Sequence, residues 1–378
     1  MQRFFLLALS FIISGTICLS QKQKTVVKKT DTYTLRQTTT YFKMGNKSIP
    51  VVRYKYNNNP SIVMVGLHDD EATAIETSKQ VLRKTGGYLI KINNDSTRLI
   101  SFKLNGKKYK FDPNRMFTAN GIKTSLKMYG HYSPEAAAKV KGFAQFILNK
   151  IPSSTSTLIA LHNNHKGDYS IYTYANGDLS KDKKEIYIDS VHAPDDFFIT
   201  TDEIIYNKMR SYGYNIALQD NAMASDDGSL SIFYGKKNKS YVNVEALHGK
   251  PEVQFNMLMN VINMPKKKNP NAWVYNYTIS DSLDESSLKN LKVYFGEKQI
   301  GSILSGYYAQ AYQKVIGQVE IDRNFGVFSN YDLFIFRLNN ENQMEIRIDP
   351  TRKKGTFDRL KETITVLQGK SAPTEIRK

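Results

Sequence analysis

Cysteine is almost absent: Cys18 is the only one in 378 residues. It falls in the first twenty residues, where Met-Gln-Arg leads into an apolar run from Phe4 to Leu19, the pattern of an export signal. A mature chain is expected from near Gln21, and such a chain has neither disulfide nor thiolate, so any metal ion must be held by histidine and carboxylate. Ile17 stands before Cys18 where a small residue would precede a lipidated cysteine, which argues against lipid attachment. The apolar run is broken by Ser10, Ser14, Gly15 and Thr16 and is shorter than a comfortable spanning helix of about 20 residues, so no transmembrane helix is expected in the mature chain.

Several motifs are missing too. There is no Gly-x-Ser-x-Gly elbow, no phosphate-binding glycine loop and no nucleophilic cysteine beyond the leader, which argues against serine-elbow, P-loop and cysteine-nucleophile chemistry. The run from Gln219-Asp220-Asn221 to Asp226-Asp227-Gly228-Ser229 lacks the spacing of a calcium-binding loop and reads as a turn-rich loop or as the lip of a pocket. Acidic residues are few, 35 Asp and Glu against 53 Lys and Arg, for a net charge of +18. Lysine is spread along the chain, which suits solubility and attraction to an anionic cell envelope. With no nucleic-acid motif beside it, nucleic acid is not an expected partner.

What is present is alternation. A polar leader and edge strand over 21–47 precede the buried run Ile62-Val63-Met64-Val65-Gly66-Leu67, and helical spacing follows from Glu71 to Lys84. Strands are expected at Tyr88–Ile92 and Leu99–Leu104, a helix capped by Ser133 with Pro134 in its first turn, and a buried strand Thr157–Leu161 ending on His162. Ile199–Tyr212, Asn215–Leu218, Tyr241–Val244 and Glu252–Ile262 continue as helix, strand, strand and helix. This is an α/β pattern, with working residues expected at the carboxyl ends of strands. Met264 to Asn271 breaks both periodicities and reads as a linker. Beyond it, over 272–378, short strands at Val274–Ile279, Lys292–Phe295, Gln318–Ile321 and Leu333–Leu338 indicate a smaller, mostly β accessory domain with a frayed tail from Gly369.

His68 and Glu71 are three apart, so a helical turn after the strand would aim both at one ion. Asp69, Asp70 and Glu71 equally suit the start of a helix, whose dipole favours acids. A second buried strand delivers His162, and two histidines with one carboxylate would leave a coordination position open, as in catalytic zinc sites. His165 competes for that place but belongs to the polar loop beyond. His131, His192 and His248 read as ordinary histidines, although Glu245-x-x-His248 has the spacing of a further ligand pair. Asp112-Pro113-Asn114-Arg115 is either a turn or a carboxylate-binding fork.

The ordered set His68-x-x-Glu71, Arg98, Asn114-Arg115, His162 and Glu245 resembles the zinc carboxypeptidase family over about 48–262. The form Asp112-x-Asn114-Arg115-x-Phe117 is similar to that of its deacylase branch, the succinylglutamate desuccinylases and aspartoacylases. The resemblance implies a zinc hydrolase domain over 48–264 built on a mixed central sheet layered by helices. It implies His68, Glu71 and His162 as metal ligands, Glu245 as general base, Arg98 as stabiliser of the oxyanion, and Asn114 with Arg115 as the clamp on a substrate carboxylate. The peptide-cleaving branch carries a mobile tyrosine ahead of its glutamate; Tyr234 and Tyr241 stand in that region, neither in a diagnostic motif. The expected activity is zinc-dependent cleavage of an amide near a free carboxylate, in peptides or cell-wall peptides, by a periplasmic or extracellular enzyme. The alternatives are a deacylase of N-acylated amino acids and a non-catalytic envelope-binding protein on the same fold.

Overall fold

The computed structural model describes residues 35–263 apart from 58, 168 and 189–191, and then 269, 271–280, 292–295, 298–309, 314–322, 334–338, 344–348, 364–365 and 374–375. The export segment with Cys18, most of the expected linker and most of the tail from Gly369 lie outside these residues.

An antiparallel hairpin opens the first sheet, β1 (Leu35–Met44) with β2 (Lys47–Tyr56). Its turn needs Gly45, whose φ is 58° and where a Cβ would sit 2.1 Å from the Lys103 carbonyl oxygen. Then follow β3 (Ile62–Gly66), α1 (Ala72–Thr85), β4 (Gly87–Ile92) and a separate hairpin of β5 (Ile100–Leu104) and β6 (Lys107–Phe111). A 3-10 turn at Pro113–Arg115, α2 (Ala119–Tyr129) and α3 (Pro134–Leu148) lead to β7 (Thr157–Asn164). After it come α4 (Ile171–Ala175), β8 (Lys183–Tyr187), β9 (Phe197–Thr200), α5 (Glu203–Ser211), β10 (Asn215–Gln219), α6 (Leu230–Gly235), β11 (Ser240–Leu247) and α7 (Pro251–Asn263).

Among the described residues this sheet has nine strands in the order β1-β2-β4-β3-β7-β11-β9-β10-β8. The pairs β4–β3, β3–β7 and β7–β11 are parallel, while β11 meets β9 antiparallel, so the sheet is mixed. Alternation along the strands builds two apolar layers. Met64, Ile159, Leu161, Val242 and Val244 pack on one face with α1 and α7 residues such as Leu82 and Leu258. Val63, Val65, Leu158, Ala160 and Tyr241 pack on the other with α2 and α3 residues such as Ile122 and Phe143. Each fully buried large apolar side chain here contributes about 1.5–3 kcal/mol.

The expected helix over Ile199–Tyr212 divides in two. Phe197–Thr200 is a fully buried strand, and helix begins only at Glu203, where the Asp202 side chain caps Ile204 N and Ile205 N. A four-residue strand running directly into a cap leaves no room for a period-two signal to register.

The remaining strands, β12 (Ala272–Ser280), β13 (Lys292–Phe295), β14 (Lys298–Ala309), β15 (Lys314–Asp322), β16 (Phe334–Leu338), β17 (Met344–Ile348), β18 (Ile364–Thr365) and β19 (Thr374–Glu375), form a second, mostly antiparallel sheet. It touches the first through a buried polar contact in which the Tyr214 hydroxyl accepts from Gln318 Nε2 at 2.6 Å and Asn260 Nδ2 at 3.1 Å. Among the described residues no helix is long and apolar enough to cross a membrane.

Candidate metal centre

Three neighbouring strands, β3, β7 and β11, carry the polar residues that meet at the middle of the first sheet. His68 follows β3, fully buried, and Glu71 is the residue that caps α1. Glu71 makes no side-chain bond to the helix it precedes. Its carboxylate turns to the histidines instead: Oε1 lies 3.0 Å from His68 Nδ1, and Oε2 lies 3.1 Å from His162 Nδ1. The acidic run is therefore more than a helix start. Among the described residues, His68, Glu71 and His162 are the one group of three or more potential metal ligands, with ligand atoms all within 4.8 Å of one another.

The donor set fits a divalent cation. Glu71 Oε2 is buried, and apart from the approach of His162 Nδ1 at 3.1 Å it has no hydrogen-bond partner, so a cation set among these groups would complete it. His68 is braced from behind, its Nε2 lying 2.8 Å from Asp112 Oδ1, which leaves Nδ1 toward the cluster. Burial alone would lower the pKa of His68, but Glu71 and Asp112 outweigh it and raise the pKa to about 9. Burial likewise opposes ionisation of Glu71, yet His162 and His68 hold its carboxyl well below the usual carboxylate range. Asp112, also desolvated, is brought down to about 2, chiefly by its bond to His68.

Asp112 was legible only as part of a turn, and that it is. Its Oδ1 also accepts from Asn114 N at 2.7 Å, and Pro113 fixes the first residue of the 3-10 turn. Asn114 then anchors a distant segment, because its Oδ1 accepts from Leu230 N at 3.1 Å. Arg115 is partly exposed, donates from Nη1 to the Asn114 carbonyl at 2.8 Å, and has Nη2 3.5 Å from Asp227 Oδ2. The loop over 226–229 is thus fastened against this turn, with Phe117 N donating to the Gly228 carbonyl at 3.0 Å and Thr118 Oγ1 2.6 Å from Asp226 Oδ1.

Arg98 enters from the turn before β5. Asp69 shapes that turn, its Oδ2 accepting from Asn94 N at 2.6 Å and Ser96 N at 2.9 Å while Oδ1 pairs with Lys91 at 2.8 Å. Asp95 and Ser96 both take φ near 54° there, a left-handed conformation that needs such support. Arg98 Nη1 lies 3.0 Å from Glu71 Oε1, with the rest of the side chain half exposed.

Glu245 lies inside β11 rather than at its end, since the strand runs on to Leu247. It is the ladder partner of His162 on β7 and of Phe197 on β9, so the three side chains form a row on one face of the sheet. Its carboxylate is buried and accepts from Asn243 Nδ2 at 3.0 Å. Burial raises its pKa, with the nearby charge of Glu71 adding to the rise against the pull of His162.

The other histidines stay apart from this group. His165 and His248 are exposed, with ring centroids 5.7 Å apart, and His131 is exposed beyond α2. His192 is buried with its ring 4.6 Å from that of Tyr214. Tyr234 and Tyr241 are buried in the apolar layer around α2 and α3, and Tyr241 feels the charge of Glu245.

No protein-family model matches the sequence, and no curated protein matches it. Among solved structures, an aspartoacylase family protein from Mesorhizobium loti is similar over 77% of this chain and 88% of its own, at 10% identity and a TM-score of 0.32.

Proposed function

We propose that this chain is an exported, zinc-dependent hydrolase that cleaves an amide bond beside a free carboxylate. The observation that carries this reading is the buried His68–Glu71–His162 cluster, with the Glu71 carboxylate turned to both histidines and a second buried carboxylate, Glu245, standing next to His162 in register. His68, Glu71 and His162 would hold the ion, and two imidazoles with one carboxylate are a ligand set that suits zinc and leaves a position open. Bound zinc supplies Lewis-acid polarisation of the scissile carbonyl and acidification of water.

The chain's own groups do the rest. Glu245, made more basic by burial, accepts a proton from the attacking water and returns it to the departing amine. Arg98 offers a fixed cation where negative charge gathers on the carbonyl oxygen. Arg115, with the Asn114 amide beside it, holds the substrate's carboxylate. The Asp112-x-Asn114-Arg115-x-Phe117 sequence favours a narrower variant, deacylation of N-acylated amino acids, and identifying the released acid and amine separates it from peptide cleavage.

The decisive experiment compares purified chain with Glu245→Gln and His68→Ala. Stoichiometric zinc in the first variant with hydrolysis abolished, and loss of zinc in the second, is the expected pattern. Absence of zinc from the unaltered protein together with no effect of His68→Ala would end the enzyme reading, and zinc with undiminished binding but no turnover in any form would favour an envelope-binding protein.

A further inference from the structure

Lysine runs the length of the chain, but over 100–133 it goes unanswered. That stretch holds Lys103, Lys107, Lys108, Lys110, Lys123 and Lys127 against one acid, Asp112, which is buried and committed to His68 and Asn114. Elsewhere Lys47, Lys79, Lys184 and Lys236 each meet a carboxylate. Among the described residues none of the six does. Two placements even work against the fold. Lys103 and Lys108 are directly opposed in the β5–β6 ladder, where like charges repel. Lys123 and Lys127 stand one turn apart on the exposed side of α2 and repel again. An anion outside the chain relieves both.

The hairpin and the chain leaving α2 lie side by side. Gly130 passes so near β6 that a Cβ there would sit 3.9 Å from Lys110 N, and the Tyr109 hydroxyl donates to Ser133 Oγ at 3.2 Å. Around these two contacts the chain exposes Met128, at 69%, together with Tyr129 and Tyr132. Large apolar side chains scattered singly on a surface need no explanation, but three within five residues mark a place of contact. Lysines alone would suit any polyanion. Met128 and the tyrosines narrow the choice, because thioether and phenol rings settle at the boundary between headgroups and acyl chains while lysine heads reach the phosphates above. A soluble polymer of phosphates would leave Met128 in water.

The geometry points to this surface as the docking site for an anionic lipid bilayer, with the lysines on lipid phosphates and Met128, Tyr129 and Tyr132 set among the headgroups. The inference goes beyond the hydrolase reading and does not rest on it. The two meet in the chain all the same, since the strand that carries Lys108 and Lys110 runs directly into Asp112, the residue that braces His68.

The test is co-sedimentation of the exported chain with vesicles of equal parts phosphatidylglycerol and phosphatidylcholine, against vesicles of phosphatidylcholine alone. Binding is expected to the first and not the second. Lys103→Gln with Lys108→Gln should lower the partition coefficient about 25-fold, roughly fivefold for each lysine. Lys181→Gln with Lys239→Gln removes the same charge from exposed places elsewhere and should lower it less than about threefold. Met128→Ser should weaken binding by about threefold, in high salt as well, where the lysines are screened. Lys103→Gln should leave the melting temperature level or raise it, since it relieves a repulsion. Failure to bind the anionic vesicles overturns the inference, and so does an equal loss in the two double variants, which would make net charge the cause. Binding indifferent to Met128→Ser would assign the surface to a soluble polyanion instead, and a fall in melting temperature with Lys103→Gln would assign the lysines to the fold; either outcome overturns it too.

Discussion

Asp112→Asn measures how much metal affinity the carboxylate behind His68 supplies. Both close bonds of Asp112 use one oxygen, Oδ1, at 2.8 Å from His68 Nε2 and 2.7 Å from Asn114 N. An asparagine with its carbonyl in that place keeps both and sets an amide group where Oδ2 lies 3.8 Å from Arg98 Nε. What disappears is the charge. Removing such a partner from a ligating imidazole costs about 10–100-fold in affinity, or about 1.4–2.8 kcal/mol. Asp112 is buried, so solvent screens it weakly, and the upper part of that range is expected. The assay is competition for zinc against a chromophoric chelator, with a thermal melt of the metal-free variant to establish that it folds. A folded variant whose affinity changes by less than about threefold would refute the bracing role.

Other outcomes follow from the same geometry. His162→Ala should abolish zinc binding, whereas His165→Ala should leave the metal content unchanged, which mass spectrometry of the purified variants reads directly. In the metal-free protein His68 is raised to about 9 from an ordinary 6.5, so its stabilisation is full below the lower value and is lost as pH climbs through the higher. Zinc must displace that proton, so apparent affinity should rise with pH by up to about tenfold per unit until near 9, and a flat profile would contradict it. The acid limb of kcat/KM, set by Glu245, should lie above the ordinary carboxylate range because burial raises that pKa. Gly228→Ala would place a Cβ 2.4 Å from Gly121 Cα at a φ of +80°. Overpacking there should cost about 1–3 kcal/mol in unfolding free energy and loosen the segment bearing Asp227.

The two histidines of the cluster were legible because each sits in or just beyond a strongly apolar run, where the end of β3 and the buried body of β7 leave few places for a histidine to go. Glu71 was less legible, because an acid before a helix serves the dipole or a metal equally well in sequence; in the structure it makes no cap bond and turns to His68 and His162. Asp112 was hidden by its second job as the residue that starts a turn. The place of Phe197 beside Glu245 carries no local signal at all, since it comes from β9 lying next to β11, a non-local pairing across a boundary that the sequence blurs into helix. The strands expected at Lys292–Phe295 and Leu333–Leu338 are found at Lys292–Phe295 and Phe334–Leu338.

The row formed by β3, β7 and β11 also bears on how the chain reaches its native state. His68 and His162 arrive from strands far apart in sequence, so the cluster comes into being only after slow, long-range parallel pairing has joined the middle of the sheet. Local elements such as α1 and α3 can form well before that moment. During refolding, assembly of the cluster should therefore trail recovery of helix, and an ion bound there, stabilising only the assembled arrangement, would act as a latch on the last part of the sheet to close.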